Sequence, residues 1–342
     1  MPTCGMPRSA DPAAIRKILA ADRPWSVYAL ADLAPEYSRY AEWHIAADGR
    51  PALLLVYRGF ETPVLFAQGA VADLGALLPE ISGEHQFYLS VRPEAADLLH
   101  AGGYRLHDVK KMWRMTANPA RFVSPARPAE RLGPADSEAL SSLHLDGDAA
   151  GESPPFFNAG ILRHGVYYGV REGGAMVAAA GTHVLAEEES VAAIGNVYTR
   201  RDRRGRGLGA QVSGAVVTDL LRLGIRTIVL NVAESNAAAM RVYARLGFER
   251  YCEYREGICR AGEWGGRSRL SGWACGPRIV MKTMWGRLPA CGGLSGRPNG
   301  VSTSYGGFST VRGTSTSRQM AGLETRRRTG VLPHAIGRSE PK

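Results

Sequence analysis

Arginine and glycine alternate in a short turn that separates a strand-like run from a helix-like run. The turn follows the apolar stretch Val191–Thr199 and consists of Arg204, Gly205, Arg206, Gly207, Leu208 and Gly209. A glycine-rich turn at the start of a helix leaves several backbone N–H groups unpaired and directed at one point. The helix dipole adds partial positive charge there, so we expect this turn to hold a phosphate or pyrophosphate group.

The composition around the turn favours anion binding over a purely structural role. Five arginines lie within residues 200–206, namely Arg200, Arg201, Arg203, Arg204 and Arg206. A structural turn and a solvated basic face are the alternatives. The glycines lack the G-x-G-x-x-G order of a dinucleotide site, and no G-x-x-x-x-G-K-[ST] motif occurs, so a nucleotide triphosphatase is disfavoured.

A second group of residues follows one strand later and reads Asn236-x-x-Ala239-x-x-x-Tyr243-x-x-x-Gly247-Phe248. The two motifs, in this order and at this separation, resemble the GNAT superfamily of N-acetyltransferases over roughly Glu130 to Arg255. The resemblance implies an α/β protein with the acyl-CoA N-acyltransferase (GNAT) fold, a mixed sheet flanked by helices. It also implies acetyl-CoA as a cosubstrate, and no metal.

The resemblance assigns parts of acetyl-CoA to parts of this sequence. The pyrophosphate would lie on the glycine turn, where missing Cβ atoms allow close approach and Arg204 and Arg206 add charge-assisted hydrogen bonds. Backbone groups at the end of the preceding strand would bind the pantetheine arm and thioester, at Asn196, Val197, Tyr198 and Thr199. A backbone N–H near Val197 or Tyr198 would hold the oxyanion.

Tyr243 is the expected catalytic residue. Its position matches the tyrosine that protonates the departing CoA thiolate in many members of the family. The alternative is that Tyr243 only packs beside Val242 and the neighbouring strand. Asn236 is expected both to cap the following helix and to contact the cofactor.

The general base and the acceptor remain open. His183, Glu234 and an ordered water are candidates for the base, whereas Glu187-Glu188-Glu189 is expected to form a solvated hairpin tip. The acceptor is expected to be the amine of a small molecule or peptide, selected by the loop Gly151–Asn158 and by the first half of the chain. A non-catalytic acyl-CoA sensor is the alternative function.

Regular elements must position these residues. Val166–Val170, Ala175–Val184 and Val191–Tyr198 have the short polar links of an antiparallel meander. After the turn, apolar residues at helical spacing predict a buried helix face that ends at Gly224; they are Leu208, Val212, Val216, Leu220 and Leu223. The next strand, Thr227–Val232, is expected to form a V-shaped opening with Val191–Tyr198.

The first half of the chain alternates strand-like and helix-like runs in a similar order but has no arginine–glycine turn. We therefore expect a tandem of two lobes, the first of which shapes the substrate cleft. The expected divisions are a degenerate lobe at 1–118, a linker at 119–134, a catalytic domain at 135–260 and a disordered basic tail at 261–342.

Composition and charge limit the remaining classes of function. No apolar run is long enough to cross a membrane and no signal peptide is evident, so we expect a cytoplasmic protein without a membrane partner. The five cysteines have no metal-ligand spacing. The tail holds 13 Lys and Arg against 3 Asp and Glu, which accounts for the whole net charge of +10. Nucleic-acid binding is therefore disfavoured, with Arg326-Arg327-Arg328 as its only support, and the sequence does not indicate an oligomeric state.

Overall fold

The computed structural model describes residues 11–46, 49–148 and 159–262. Within these residues, eleven strands form one mixed sheet and helices cover both of its faces. The strands are β1 (Ala41–Ile45), β2 (Leu53–Tyr57), β3 (Val64–Gln68), β4 (Gln86–Val91), β5 (Tyr104–Ala117), β6 (Glu130–Arg131), β7 (Tyr167–Glu172), β8 (Ala175–Ala186), β9 (Val191–Thr199), β10 (Thr227–Ala233) and β11 (Phe248–Ala261). The α-helices are α1 (Pro12–Ala20), α2 (Arg23–Ala31), α3 (Pro35–Ser38), α4 (Val71–Leu77), α5 (Pro93–Ala101), α6 (Ser137–Asp148), α7 (Leu208–Arg222) and α8 (Ala237–Arg245).

Three predictions fall on parts of the chain that the structure leaves undescribed. The predicted substrate loop at 151–158, the predicted tail beyond residue 262 and the Arg326-Arg327-Arg328 run lie outside the described residues.

The order of elements is repeated in the two halves of the chain. In the first half, β1, β2 and β3 form an antiparallel meander, and β3 then runs parallel to β4 with α4 between them. In the second half, β7, β8 and β9 form the meander, and β9 runs parallel to β10 with α7 between them. A helix and a long strand close each half, α5 with β5 and α8 with β11. This repetition is what a tandem of two lobes requires.

The closing strands of the two halves are exchanged. The sheet order is β1-β2-β3-β4-β11-β5-β10-β9-β8-β7-β6. Strand β5 belongs to the first half by sequence, yet it pairs with Val229–Ala233 of β10. Strand β11 belongs to the second half, yet it pairs with Gln86–Val91 of β4. The halves therefore share one sheet.

Two hydrophobic cores lie on opposite faces of the second half. On one face, α7 and α8 cover Ile194, Ile228 and Leu230. On the other face, α1 and α2 of the first half cover Ala193 and Val229. Because side chains alternate along a strand, the residues near the ends of β9 and β10 can be assigned to the α7 face or to the α2 face.

Helix α7 follows its predicted pattern except at its last apolar residue. Leu208, Val212, Val216 and Leu220 are buried, but Leu223 is 47% exposed. The helix ends at Gly224, where φ is +77°, and the N–H of Ile225 donates to the Leu220 carbonyl at 3.0 Å. This reversal brings Ile225, rather than Leu223, into the core.

The sequence did not predict helix α2 or strand β1. Six of the nine residues of α2 are buried, so it lacks the one-sided pattern that reveals a surface helix. Strand β5 carries exposed polar residues along much of its length, and these obscure the strand pattern in the sequence. In the described part of the chain, no helix has the length and apolar character needed to span a bilayer.

Candidate active site

The parallel strands β9 and β10 stop pairing partway along their length. Their register runs from Val191 opposite Thr227 to Ile194 opposite Leu230, although the strands continue to Thr199 and Ala233. Beyond this point β9 pairs only with β8, and β10 pairs only with β5. The carboxyl ends of the two strands thus form a split in the sheet, at the place where the V-shaped opening was predicted.

A bulge in β9 marks the start of this split. Gly195 and Tyr198 of β9 lie opposite Gly181 and Ala179 of β8, so β9 contains one residue more than its partner over this interval. Asn196 adopts φ +51°, a left-handed conformation that asparagine tolerates better than most residues. The bulge turns the backbone of 196–199 out of the regular ladder, and these are the residues expected to contact the pantetheine arm.

The glycine turn needs glycine because of its backbone conformation. Gly205 and Gly207 have φ of +78° and +79°, and Gly207 is the residue that precedes α7. A Cβ atom at either position would meet no atom within 4 Å, so open space adjoins the turn. At Gly209 a Cβ would lie 3.6 Å from the Thr199 hydroxyl, which is an ordinary contact.

The N–H groups of six consecutive residues, 205–210, precede the first hydrogen bond within α7. The first helical hydrogen bond of α7 is donated by the N–H of Gln211 to the Gly207 carbonyl at 3.0 Å. None of the residues that the structure describes accepts a hydrogen bond from the backbone of Gly205 to Ala210. The turn therefore offers a concentration of unpaired donors beside the split.

Three of the five arginines near the turn are paired with acids, and the anion-binding role expected of Arg204 and Arg206 stays a prediction. Arg203 and Arg206 each lie 3.0 Å from a carboxylate oxygen of Glu172. Arg200 lies 2.6 Å from Asp202. Arg204 donates to the Thr199 carbonyl at 3.2 Å and lies over the Tyr198 ring. The local positive charge is thus partly neutralised. The unpaired backbone N–H groups are therefore stronger support for an anion site than the arginine side chains are.

Tyr243 lies on the inner face of α8 and is 7% exposed. Its ring contacts Phe248 edge-on, with centroids 6.1 Å apart. Burial raises the pKa of the Tyr243 hydroxyl to about 12, so the hydroxyl remains protonated at neutral pH. No described group forms a hydrogen bond with this hydroxyl, which leaves it able to donate to a ligand.

Asn236 caps α8, as predicted. Its Oδ1 accepts a hydrogen bond from the N–H of Ala239 at 3.0 Å, and the residue is exposed. The expected contact with the cofactor stays a prediction.

The two side chains considered as the base, and the acidic hairpin tip, have different surroundings. His183 is partly buried, with its ring directly over Gly195, where any Cβ would overlap it. Burial lowers the pKa of His183, and its hydrogen bond with Asn196 opposes this effect. Glu234 is exposed just after β10. The hairpin tip was predicted to be solvated, but Glu189 forms an ion pair with Arg16 of α1 at 2.7 Å, so the tip is only partly solvated.

Sequence reasoning missed a polar network on the α2 face. Arg114 is 1% exposed, and its guanidinium lies 4.9 Å from the Trp25 ring centre and 5.1 Å from that of Tyr28. Its Nε donates to Oδ1 of Asn231 at 3.0 Å. An arginine within the apolar sequence Met112-Trp113-Arg114-Met115 was the available signal, since a buried cation requires partners.

The equivalent position in the first half is filled by the protein itself. The indole N–H of Trp25 donates to the Ala67 carbonyl at the end of β3 at 3.0 Å. The side-chain amide of Gln68 donates to the Ile18 carbonyl at 2.7 Å. The cavity beside α4 has a volume of only about 10 Å³. Within the described residues of the first half, groups of the protein itself thus occupy the end of β3.

A wider groove of about 340 Å³ runs along α8 beside β5 and β11. Its lining is apolar with two arginines: Met115, Ala237, Met240, Arg241, Ala244, Phe248 and Arg250. Within the described residues, no three His, Cys, Asp or Glu side chains come together as a metal site would require.

Comparisons with known proteins identify the second half. The sequence model of the Acetyltransferase (GNAT) family matches residues 137–248. A mycothiol acetyltransferase of Geodermatophilus obscurus is 39% identical over 67 residues, which cover 19% of this chain and 22% of that protein. An L-methionine sulfoximine/L-methionine sulfone acetyltransferase of Pseudomonas aeruginosa is 39% identical over 54 residues, or 16% of this chain and 31% of that protein.

The chain thus spans less than a third of the length of these curated relatives. A solved Drosophila protein is similar in structure with a TM-score of 0.52 and 14% identity, over 71% of this chain and 88% of that one. This last likeness concerns the fold alone. Residues 137–248 are a domain of the acetyltransferase (GNAT) family, and the chain has the fold of that family, a mixed sheet flanked by helices.

Proposed function

We propose that this protein is an N-acetyltransferase that moves the acetyl group of acetyl-CoA directly to an amine of a small molecule or peptide. The observation that carries the proposal is the set of unpaired N–H groups of residues 205–210, beside the split between β9 and β10. A pyrophosphate would accept from these donors. The contribution of the helix dipole is modest, about 0.3–1 kcal/mol, so the direct hydrogen bonds matter more.

The remaining residues take roles that follow from their positions. The backbone of the bulge, from Asn196 to Thr199, would bind the pantetheine arm and hold the thioester in the split. A backbone N–H at Val197 or Tyr198 would stabilise the oxyanion. Tyr243, which is protonated at neutral pH, would donate its proton to the departing thiolate. Arg204 and Arg206 lie at the turn, where the phosphates would bind.

The division of labour between the halves belongs to the same proposal. Residues 135–260 would form the catalytic domain, in a cytoplasmic protein. Residues 1–118 would form a lobe that has lost its own site, which agrees with the filled position at the end of β3. Helix α2 of this lobe lies against the second half, where it would shape the acceptor side of the cleft.

Two measurements on the intact chain test the proposal. Calorimetric titration with acetyl-CoA should give a saturable heat of binding, and an absence of binding would contradict the proposed function. Release of CoA thiol should then be followed with a panel of amines that includes methionine sulfoximine, methionine sulfone, amino sugars and short peptides. The names of the curated relatives suggest the first two acceptors. Acetyl-CoA binding without thiol release for any acceptor would favour a non-catalytic acyl-CoA sensor.

A further inference from the structure

A line of hydrogen-bonded side chains crosses the split on the α2 face. Asn231 lies on β10 one residue past the last pair, and Asn196 lies on β9 two residues past it. Between them lie Tyr28 of α2 and His183 of β8. The Asn231 amide donates to the Tyr28 oxygen at 3.2 Å, the Tyr28 hydroxyl lies 3.4 Å from Nδ1 of His183, and Nε2 of His183 lies 3.0 Å from Oδ1 of Asn196.

The direction of these hydrogen bonds follows from the groups at the two ends. Arg114 can only donate, and it donates to Oδ1 of Asn231, so the Asn231 amide must donate to Tyr28. At the other end, the Tyr167 hydroxyl donates to the Thr182 carbonyl at 3.0 Å. It therefore accepts from Nδ2 of Asn196 at 2.8 Å.

This direction assigns the tautomer of His183. Since Oδ1 of Asn196 accepts, Nε2 of His183 carries the proton. The lone pair of the neutral ring is then on Nδ1, facing the Tyr28 hydroxyl. The asparagine orientations and the tautomer are assigned here from the network as a whole.

The line also lies on the side from which an acceptor would attack. The glycine turn begins α7, so the diphosphate end of the cofactor would lie on the α7 face of the sheet. Tyr28 and His183 lie on the opposite face, and both are only partly buried. The hydroxyl of Tyr28 bridges the split, because it contacts Asn231 of β10 on one side and His183 of β8 on the other.

We propose that Tyr28 and His183 together take the proton of the acceptor amine, so that the first lobe supplies a residue to the reaction of the second. The inference rests on the proposed acetyl transfer. As the amine nitrogen bonds to the acetyl carbon, its proton passes to the Tyr28 oxygen and the Tyr28 proton passes to Nδ1 of His183. The C–S bond breaks, and the thiolate takes a proton from Tyr243. Solvent then returns the proton from His183 to Tyr243, so the sum is amine plus acetyl-CoA giving amide plus CoA.

The surroundings keep the pair neutral before reaction. Burial lowers the pKa of His183, so the ring is unprotonated at neutral pH and can accept. Burial raises the pKa of Tyr28, and Arg114 opposes this shift, so the hydroxyl keeps its proton. Among the described residues, the titratable groups around the pair include Tyr88 of β4, Tyr167 of β7, and Tyr254 and Glu256 of β11. The carboxylate of Glu256 accepts from the Tyr88 hydroxyl at 2.5 Å and from the Tyr254 hydroxyl at 2.6 Å.

The test compares Tyr28→Phe and His183→Gln with Tyr104→Phe as a control. Tyr104 has a hydroxyl hydrogen-bonded to the Ile81 carbonyl at 3.1 Å, in the first lobe and away from the split. We expect both site variants to lower kcat/KM for the amine by about 100-fold or more, the usual contribution of general base catalysis. Acetyl-CoA affinity by calorimetry should stay within about twofold, and Tyr104→Phe should retain its rate.

The pH profile separates proton transfer from a structural role. With an acceptor that stays unprotonated over the whole range, the wild-type rate should fall as pH decreases through the pKa of His183, since a protonated ring cannot accept. This acidic limb should disappear in His183→Gln. Imidazole nitrogen NMR should independently show that Nε2 of His183 is protonated and that Nδ1 is unprotonated. The chemical shift of Nδ1 should change in Tyr28→Phe.

The outcomes distinguish this inference from the proposed function. Turnover by the wild type with unchanged rates in both site variants would overturn the relay and leave acetyl transfer intact. The same holds for an acidic limb that persists in His183→Gln, or for a protonated Nδ1. No turnover by the wild type with any amine would overturn the proposed function and the relay with it.

Discussion

Replacing Gly207 with glutamate separates anion binding from backbone strain, because the same helix provides a matched control. Gly207 precedes α7 with φ +79°, and Gly224 follows it with φ +77°. A Cβ at either position meets no atom within 4 Å. Gly207→Glu and Gly224→Glu therefore impose the same backbone strain, but only the first introduces a carboxylate beside the unpaired N–H groups.

The two variants should share the same backbone strain and should differ in affinity; the helix dipole adds about 0.3–1 kcal/mol of destabilisation to Gly224→Glu alone, because its carboxylate lies at the carboxyl end of α7. Placing a non-glycine residue in the left-handed region costs about 1–2 kcal/mol of folding free energy at each position. At Gly207 the new carboxylate repels the diphosphate and competes for its donors. Losing two charge-assisted hydrogen bonds at about 1.5 kcal/mol each weakens binding by about 3 kcal/mol, more than about 100-fold in the dissociation constant.

The assay is calorimetric titration with acetyl-CoA, on protein whose folding has been checked by circular dichroism and urea unfolding. Gly224→Glu should bind as the wild type does. An unchanged affinity in folded Gly207→Glu would refute the role of the turn. An equal loss in both variants would show that strain in α7, and not the anion site, controls binding.

Three further predictions concern single side chains. Tyr243→Phe should lower kcat by about 100-fold or more while acetyl-CoA affinity is unchanged, because the acid is lost and the packing is kept; thiol-release kinetics would show this, and a wild-type rate would remove Tyr243 from the mechanism. Asn236→Ala should reduce the free energy of unfolding by about 0.5–2 kcal/mol through the lost cap, and urea titration measures it. Burial raises the pKa of Asp32 to about 8, whereas the unfolded carboxyl titrates near pH 4, so the folded state is protonated where the unfolded state is charged. The contribution of Asp32 to stability should therefore be full below about pH 4 and should fall by up to about 5 kcal/mol as pH rises to 8; Asp32→Asn should lack this fall, and equal slopes in both proteins would contradict the burial effect.

The elements around the glycine turn could be predicted because their patterns are local. The fourfold spacing from Leu208 to Leu220 marks α7, and the apolar runs mark β9 and β10. These three elements fix where the turn and the split must lie. The bulge at Asn196 has no comparable signal, because the sequence does not distinguish an asparagine in the left-handed conformation from one in a regular strand.

The acceptor side of the site could not be predicted, because its contacts join distant parts of the chain. Tyr28 and Asn231 are 203 positions apart, and Tyr28 and His183 are 155 positions apart. Helix α2 is apolar on most sides. Its sequence therefore lacks the periodicity that would have indicated a helix or shown that Tyr28 is only partly buried. The burial of Arg114 is likewise set by Trp25 and Asn231, which come from other elements.

The interleaving of β5 and β11 makes the two lobes inseparable as folding units. Cleavage after residue 118 would separate β10 from β5, its neighbour on one side. It would also separate β4 from β11, the strand that links β4 to the centre of the sheet. Each fragment would expose a long bare ladder of N–H and C=O groups, which favours aggregation. The first lobe thus forms half of the shared sheet, and we expect substitutions in the core of either lobe to alter the stability of both.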